Sequence, residues 1–534
     1  MDCDLILRGG TVVDGTGSAP RPADVAITAG TVTAIAAPGS LDGARASTEL
    51  DVTGRAVAPG FIDAHAHSDL AMFLPERWRD IAVAPLLQGV TTEVCGNCGE
   101  SPFPRTPRFA DQFDEYIRVG FQTGLGGFDS LDAYATHLAE AAMPTNQAPL
   151  LGHGALRSAA MGFADRAPDA DELALMERLA AEAFEQGAFG FSTGLMYVPG
   201  VYAGTDEIAH IAAVAGRFGA PYVSHMRDEA DRVDRSIEEA LRIGVAARTG
   251  VHISHHKVAG RPNWGRSSQT LAMLDSARAG GQDVTVDVYP YTAGSTGLHS
   301  LLPPWVGAGG LATLLARVSD RSVRDRIPTD YDTGLPGWQD LASAAGWDRV
   351  VIAGSPSDPQ VEGLSIAEIA AATGRGPVDV VCDTVVADAA GTVVVLHMMA
   401  EDDVQAIRGW QAAMVGSDGV PLPGKPHPRI AGTFARALRA PVGAAPWQDV
   451  ADRVHRMTGM PARRYRIPGG RGHLSVGSVA DVVVFDPATV ADRATYPDPL
   501  RSPVGIDHVL VAGVHSVADG RLTGRCGGRV LRAR

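Results

Sequence analysis

Val57-Ala58-Pro59-Gly60-Phe61-Ile62-Asp63-Ala64-His65-Ala66-His67 is a short apolar run that ends in two histidines one residue apart. Side chains of a strand alternate between two faces, so residues i and i+2 point the same way. His65 and His67 are therefore expected to face one spot at the end of one strand. Two imidazoles on one face begin a site for zinc or a similar ion.

The same texture recurs along the chain. Short apolar runs that stop at polar, chemistry-bearing residues are GFIDAHAH, VTTEVCGN, APLLGHG, FGFSTG, PYVSHMRD, VHISHHK, DVTVDVYPY and AAMVGSDG. Helix-like stretches alternate with them, including 171–186 and 236–249. Eight such strands are the pattern of an α/β fold of the (β/α)8 TIM-barrel type, whose active site collects at the strand C-termini. A doubly wound sheet also alternates, but it seldom ends so many separate strands in metal-type residues.

The chain ends read differently. Residues 1–56 and 465–534 are short strands punctuated by glycine turns, such as DLILRGGTVVDG and IDHVLVAGVHSVADG. We expect these to form one small β domain flanking a catalytic domain over 57–464, since chain ends commonly lie close in space. Residues 291–411 are too long for one crossover and are expected to be an insertion covering the site.

The 534 residues carry 46 basic and 61 acidic side chains, a formal charge of -15, and their mean hydropathy is near zero. That balance disfavours nucleic acid as a partner and does not exclude anionic small substrates, which respond to local rather than net charge. No apolar run is long enough for a membrane span, and the N-terminal residues lack the pattern of a secretory signal. Five cysteines, few and odd in number, fit a reducing cytoplasm better than a disulfide framework.

Among the candidate site residues, Cys95 and Cys98 form a Cys-x-x-Cys pair with no second pair to complete a four-cysteine site. One thiolate at the strand end, Cys98, is the preferred ligand, with Cys95 assigned to the core. His225 ends PYVSH. Of His252, His255 and His256, alternation puts His255 on one face and the other two on the opposite face, so spacing does not choose. His153 is a candidate that could equally be structural. Asp418, at the last strand end, suits a carboxylate that accepts a proton from water and returns it to a leaving group. With a metal beside it, the natural reaction class is hydrolysis of an amide-like bond.

The ordered set PGFIDAHAHSD, GVTTEVCGNCG, GHGALR, STGLMYVPG, SHMRDE, ISHHKVAGRPNWGRS, DVYPYTAGST, GSDG, PHPR and GHLSVGSVADVVVFDP resembles the amidohydrolase superfamily. Within that superfamily it resembles the D-aminoacylase (N-acyl-D-amino-acid deacylase) family. The resemblance implies a β-sandwich from both chain ends attached to a barrel that holds one or two zinc ions. It implies a tight zinc on Cys98, His225 and His255, and a weaker one on His65 and His67 sharing Cys98. Asp418 would be general base and acid, and Lys257, Tyr289, Ser295 and Arg429 would receive the substrate α-carboxylate. Relatives that take N-acyl-D-glutamate or D-aspartate place an arginine after the Ser-Thr motif. Here Gly297–Trp305 has neither Arg nor Lys, so neutral or hydrophobic D-side chains are expected. The alternative is an amidohydrolase for cyclic amides, D-dipeptides or N-acyl-D-glutamate and D-aspartate.

Overall fold

In the computed structural model, which describes residues 2–533, the opening stretch splits at Gly60. Ala56–Pro59 pairs antiparallel with Val482–Phe485, Val57 standing opposite Val484. Phe61–Asp63 instead pairs parallel with Val90–Cys95. A Cβ at Gly60 would lie 2.2 Å from Thr91 Oγ1. Glycine is what lets the backbone pass this close as it leaves one sheet for the other.

The first sheet has nine strands and takes in both chain ends. Its path runs Arg521–Leu522, Val514–Ala518, Ile506–Val511, Val482–Phe485, Ala56–Pro59, Asp2–Val12, Arg21–Thr28, Thr31–Ala36, with Arg45–Asp51 also beside Asp2–Val12. Both faces of Val482–Phe485 are buried, which explains its unbroken apolar sequence. Val482 and Val484 pack with Leu7, Val25 and Ile27, while Val483 and Phe485 pack with Phe61 and Phe434. The second cluster ties the terminal sheet to the parallel strands. Past residue 524 the chain returns to the parallel sheet, Gln147 N donating to Arg529 O and Leu531 N to Gln147 O.

We number the parallel strands β1 (Phe61–Asp63), β2 (Val90–Cys95), β3 (two pieces, Asn146–Pro149 and Leu151–Gly152), β4 (Phe191–Gly194), β5 (Tyr222–His225), β6 (Val251–Ile253), β7 (Val284–Val288) and β8 (Ala413–Val415). Each lies in one of the eight runs read from the sequence, except that the first piece of β3 begins two residues before APLLGHG. β1 to β3 form one parallel run, and the second piece of β3 through β8 forms another. Backbone bonds link the ends of β1 and β8: Asp418 N donates to His65 O at 2.8 Å and His67 N to Gly419 O at 3.1 Å. Ile62, Val94, Ala148, Val223 and Met414, from five strands, share one buried cluster. Alternate residues such as Phe191, Tyr222, Val251 and Val286 pack outward on the helices.

The crossover helices follow their apolar spacing. Ala170–Glu185 begins at a capping box, in which Asp169 accepts from Glu172 N and Glu172 accepts from Asp169 N. Val233–Ala247 buries Val233, Ile237, Ala240, Ile243 and Ala247, a stripe at i, i+4, i+7 spacing. After β7 the chain builds a separate antiparallel sheet in the order Ala293–Gly297, Val393–His397, Val350–Gly354. It then re-enters the crossover pattern through the helix Glu401–Gly409. No helix among the described residues is long and apolar enough to cross a membrane.

Candidate metal centre and active site

Three strand ends turn sharply back on themselves. Cys98, His255 and Asp418 adopt φ of 54°, 34° and 50°, the left-handed region that costs a non-glycine residue about 1–3 kcal/mol. Each turn swings its side chain toward one point. Cys98 Sγ lies 3.4 Å from His65 Nε2, 3.5 Å from His225 Nδ1 and 3.4 Å from His255 Nε2. Asp418 Oδ1 lies 3.2 Å from His67 Nε2 and 3.6 Å from His65 Nε2. Ligand atoms of His65, Cys98, His255 and Asp418 all fall within 4.8 Å of one another.

These spacings fit zinc. With Zn–S of about 2.3 Å and Zn–N of about 2.0–2.1 Å, tetrahedral geometry puts S and N about 3.6 Å apart. A thiol has one proton to donate yet here meets three imidazole nitrogens, an arrangement a cation satisfies better. Burial, with the Asp418 charge adding to it, pushes the Cys98 thiol well above its ordinary pKa. The thiolate is thus a species that a bound cation would stabilise.

Carboxylates orient the imidazoles from behind, as metal-ligating histidines require. Asp287 Oδ2 is 3.4 Å from His65 Nδ1, and its Oδ1 accepts from His255 N at 2.9 Å. Glu229 Oε1 is 3.1 Å from His255 Nδ1, and Lys257 Nζ donates to both Glu229 oxygens at 2.8 and 2.9 Å. Burial opposes ionisation of Glu229, but Lys257, His225 and His255 outweigh it and hold the carboxyl far below its ordinary value. Asp63 Oδ1 accepts from His65 N and Ser417 N, clamping the ends of β1 and β8 together. Neither Glu229, Asp287 nor Asp63 was singled out from the sequence. The available signals were a carboxylate inside the apolar strand Val284–Val288 and a Glu four residues after His225.

Asp418 is held by Arg429, whose Nη1 lies 2.8 Å from Oδ2. Burial raises the Asp418 pKa, but Arg429, His255 and His67 outweigh it and keep the group anionic. His67 shifts the other way: burial lowers its pKa, yet the Asp418 contact raises it overall. Burial takes His65, away from that direct bond, down to about 4. Arg429 and Lys257 flank the Tyr289 ring, at 4.8 and 5.9 Å from its centroid, and Arg429 Nη2 donates to Ser295 O at 3.4 Å. Lys257, Tyr289, Ser295 and Arg429 are therefore contiguous.

The remaining candidates lie elsewhere. Cys95 Sγ contacts Glu93 O within its own strand. His256 Nε2 meets Thr270 Oγ1 at 3.0 Å, and His252 Nε2 meets Asp287 at 2.8 Å. β6 ends at Ile253, so strand alternation no longer governs position 255, and its positive φ turns His255 to the site. His153 is bound to Glu207 at 2.9 Å beside Arg157, a buried ion network away from the metal residues. His65 and His67 also lie beyond their strand, which ends at Asp63; they nonetheless converge on the same Asp418 oxygen.

A cavity of about 190 Å³ opens over His67, Cys98, His255 and Asp418. Its far walls come from the excursion after β7, including Ser295, His299, Leu302, Leu311 and Leu314, together with Phe163 and Met196.

Comparison with known proteins agrees with this construction. Residues 48–517 match the model of the amidohydrolase family. The chain is 38% identical to D-aminoacylase of Alcaligenes xylosoxydans xylosoxydans over 99% of its own length and 97% of that protein's. The structure of N-acyl-D-glutamate deacylase from Bordetella bronchiseptica, which holds zinc and a phosphonate mimic of the tetrahedral intermediate, is 36% identical. It superposes with a TM-score of 0.83 over the whole of both chains. A D-aminoacylase with a binuclear metal centre, in which one metal activates and the second attenuates, is 35% identical with a TM-score of 0.81, over 99% of this chain and all of that one. A family model spanning most of the chain and full-length relatives of this similarity establish that the protein belongs to the amidohydrolase family, in its D-aminoacylase branch.

Proposed function

We propose that this protein is a zinc-dependent hydrolase of N-acyl-D-amino acids, releasing a carboxylate and a free D-amino acid. The observation that carries the reading is the Cys98 sulfur standing 3.4–3.5 Å from three imidazole nitrogens. The parallel strands are read as a closed (β/α)8 barrel over 57–464, and the terminal sheet as a β-sandwich of 1–56 plus 465–534. The chain crosses between them at residues 57–59, which pair in the terminal sheet, and at residues 529–531, which bond to Gln147 of the parallel sheet. The backbone bonds from β8 to β1 support the first of these, and the pairing of both chain ends supports the second. In this reading the 291–411 excursion forms the cover of the site.

Cys98, His225 and His255 would hold the tight zinc, and His65 and His67 a second, weaker metal sharing Cys98. Bound zinc would lower the pKa of a water and polarise the acyl carbonyl. Asp418 takes the proton of the attacking water and delivers it to the leaving nitrogen as the C–N bond breaks. Asp287 and Glu229 keep His65 and His255 in the required tautomer. Arg429 and Lys257 around Tyr289, with Ser295 at the cavity wall, supply the cations and hydroxyls suited to the α-carboxylate. The partner is a small molecule; the strongly acidic balance argues against nucleic acid, and the cysteine usage against an oxidising compartment, leaving the cytoplasm.

Overall similarity does not separate D-aminoacylase from the D-glutamate enzyme, since the chain is 38% identical to each from Alcaligenes xylosoxydans xylosoxydans. The cavity does offer a distinction. Beyond Arg429 and Lys257, which stand behind its wall and are assigned to the α-carboxylate, no Arg or Lys is at hand: the lining has none among the described residues but includes Glu100 and Glu115. A second substrate carboxylate would enter without a cation and pay its desolvation cost. Neutral or apolar D-side chains such as Leu, Met, Phe, Val and Trp are therefore favoured. The test is a zinc-loaded assay against N-acetyl-D- and L-forms of Leu, Met, Phe, Glu and Asp. D-Leu, D-Met or D-Phe derivatives should exceed the D-Glu derivative by about a hundredfold or more in kcat/KM, the equivalent of about 2.7 kcal/mol for a carboxylate buried without a partner. Equal turnover of both enantiomers overturns the deacylase reading, and a preference for D-Glu or D-Asp overturns the side-chain reading.

A further inference from the structure

On the outer flank of β7 and β8, away from the catalytic cavity, a second hollow lies between the helix Glu401–Gly409 and the helices Arg429–Leu438 and Val450–Met457. It has a volume of about 560 Å³. Five arginines line it, Arg408, Arg436, Arg439, Arg453 and Arg456, against two aspartates, Asp449 and Asp452. In a chain whose formal charge is -15, so local an excess of positive charge is a feature of the site and not of the surface at large.

The carboxylates do not neutralise it. Asp452 is bound by Arg456 Nε at 2.8 Å, and Arg436 is turned to Asp492 outside the hollow. Arg408, Arg439 and Arg453 form no ion pair among the described residues. Arg453 donates to the carbonyls of Gln448 and Pro446, and its buried Nε has no partner. The Arg408 guanidinium is bonded only to the amide oxygen of Gln405 among the described residues. Burial, and then the neighbouring Arg436, Arg456 and Arg453, lower the Arg408 pKa, with Glu401 on its own helix opposing. Burial also lowers that of Arg453, against Asp449 and Asp452. Like charges held together at this energetic cost are a feature that an anion would relieve.

We propose that this hollow binds a small organic phosphate. Planar guanidinium forks match phosphate oxygens in pairs. Val288, Met414 and Met457 provide an apolar floor for the organic part, and the volume is that of a small-molecule site. The neighbouring hollow, which shares Met414 and Asp452, adds Arg248, Arg463 and Arg466 to the same field and would steer anions toward it.

The experiment is isothermal titration of the zinc-loaded full chain with adenosine monophosphate, with inorganic phosphate, and with succinate as a dicarboxylate control. Each is run on the wild type, on R439Q, and on R408Q/R453Q. Thermal unfolding of each variant reports independently on folding, and R439Q, at an exposed position, covers the case in which the double variant is unstable. Saturable binding of the phosphate probes at millimolar concentration or below is expected, weakened about tenfold or more per guanidinium removed. Succinate should bind at least tenfold more weakly than the nucleotide. Absence of saturable binding, equal binding by R439Q and R408Q/R453Q, or a preference for succinate overturns the proposal. None of these arginines touches the metal residues, so the outcome is independent of which amide the enzyme hydrolyses.

Discussion

Asp418→Asn is the most informative single substitution, because it preserves shape and removes one charge. The carboxylate is asked to do two things. As general base and acid it contributes about 10²–10⁴ in rate, equivalent to about 2.7–5.4 kcal/mol of barrier. As an anion it compensates Arg429, which is 1% exposed and whose nearest acidic oxygen is Asp418 Oδ2 at 2.8 Å. At an effective dielectric of about 20, two charges at that distance attract by about 6 kcal/mol. After relaxation, breaking such a buried pair typically costs about 3–5 kcal/mol. The variant should therefore lose kcat by at least about a hundredfold and also unfold at lower temperature. Zinc should remain, since Cys98, His225 and His255 are untouched. The assay is kcat and KM on N-acetyl-D-methionine or its best-cleaved neighbour, with zinc counted on the same sample and thermal unfolding alongside. A kcat within tenfold of wild type at full zinc occupancy would falsify the proton-transfer role. An unchanged unfolding temperature would refute the charge-compensation argument.

Other expectations are narrower. Cys98→Ala should lose zinc on dialysis and lose activity with it, whereas Cys95→Ala should keep both. Elemental analysis decides, and the reverse pattern would mean that the wrong cysteine has been chosen. Gly60→Ala should destabilise by about 1–3 kcal/mol, because its Cβ would meet Thr91 Oγ1 and Cγ2 at 2.2 and 2.3 Å. Thr91→Ala in the same chain should restore part of the loss, and an unaltered melting curve for Gly60→Ala alone would count against the close-approach reading. Glu172 has its carboxyl lowered to about 2, chiefly by hydrogen bonds from Arg166. A depressed folded-state pKa adds stability above the ordinary value of 4.5, and this is lost as pH falls through 2. Glu172→Gln should thus be less stable than wild type at pH 6, with the gap closing between pH 4.5 and 2. A gap that stays constant over that range would show the ion pair to be irrelevant.

The primary structure alone determined a good deal. Eight apolar runs that end in polar residues determined eight parallel strands, because alternation of strand and helix is local and depends on periodicity. The residue types at those ends, His65, His67, Cys98, His225, His255 and Asp418, were legible for the same reason: each closes a run. The turn chemistry was less so. Alternation could not choose among His252, His255 and His256, because the strand stops at Ile253 and a positive φ at His255 sets its direction.

What only the tertiary structure decided concerns groups brought together from far apart. The stretch around Gly60 reads as one strand and serves two sheets, since the partner of Ala56–Pro59 lies more than 400 residues later. Glu229 and Asp287 look in sequence like any carboxylates beside a strand. Their role exists only where Lys257, His255 and His65 converge on them. His153 carries the same residue type as the proposed metal ligands yet is tied to Glu207, which no spacing rule reveals. Periodicity encodes which elements form and where they end. Which end meets which is decided by packing, because contact energies depend on distance in space and not along the chain.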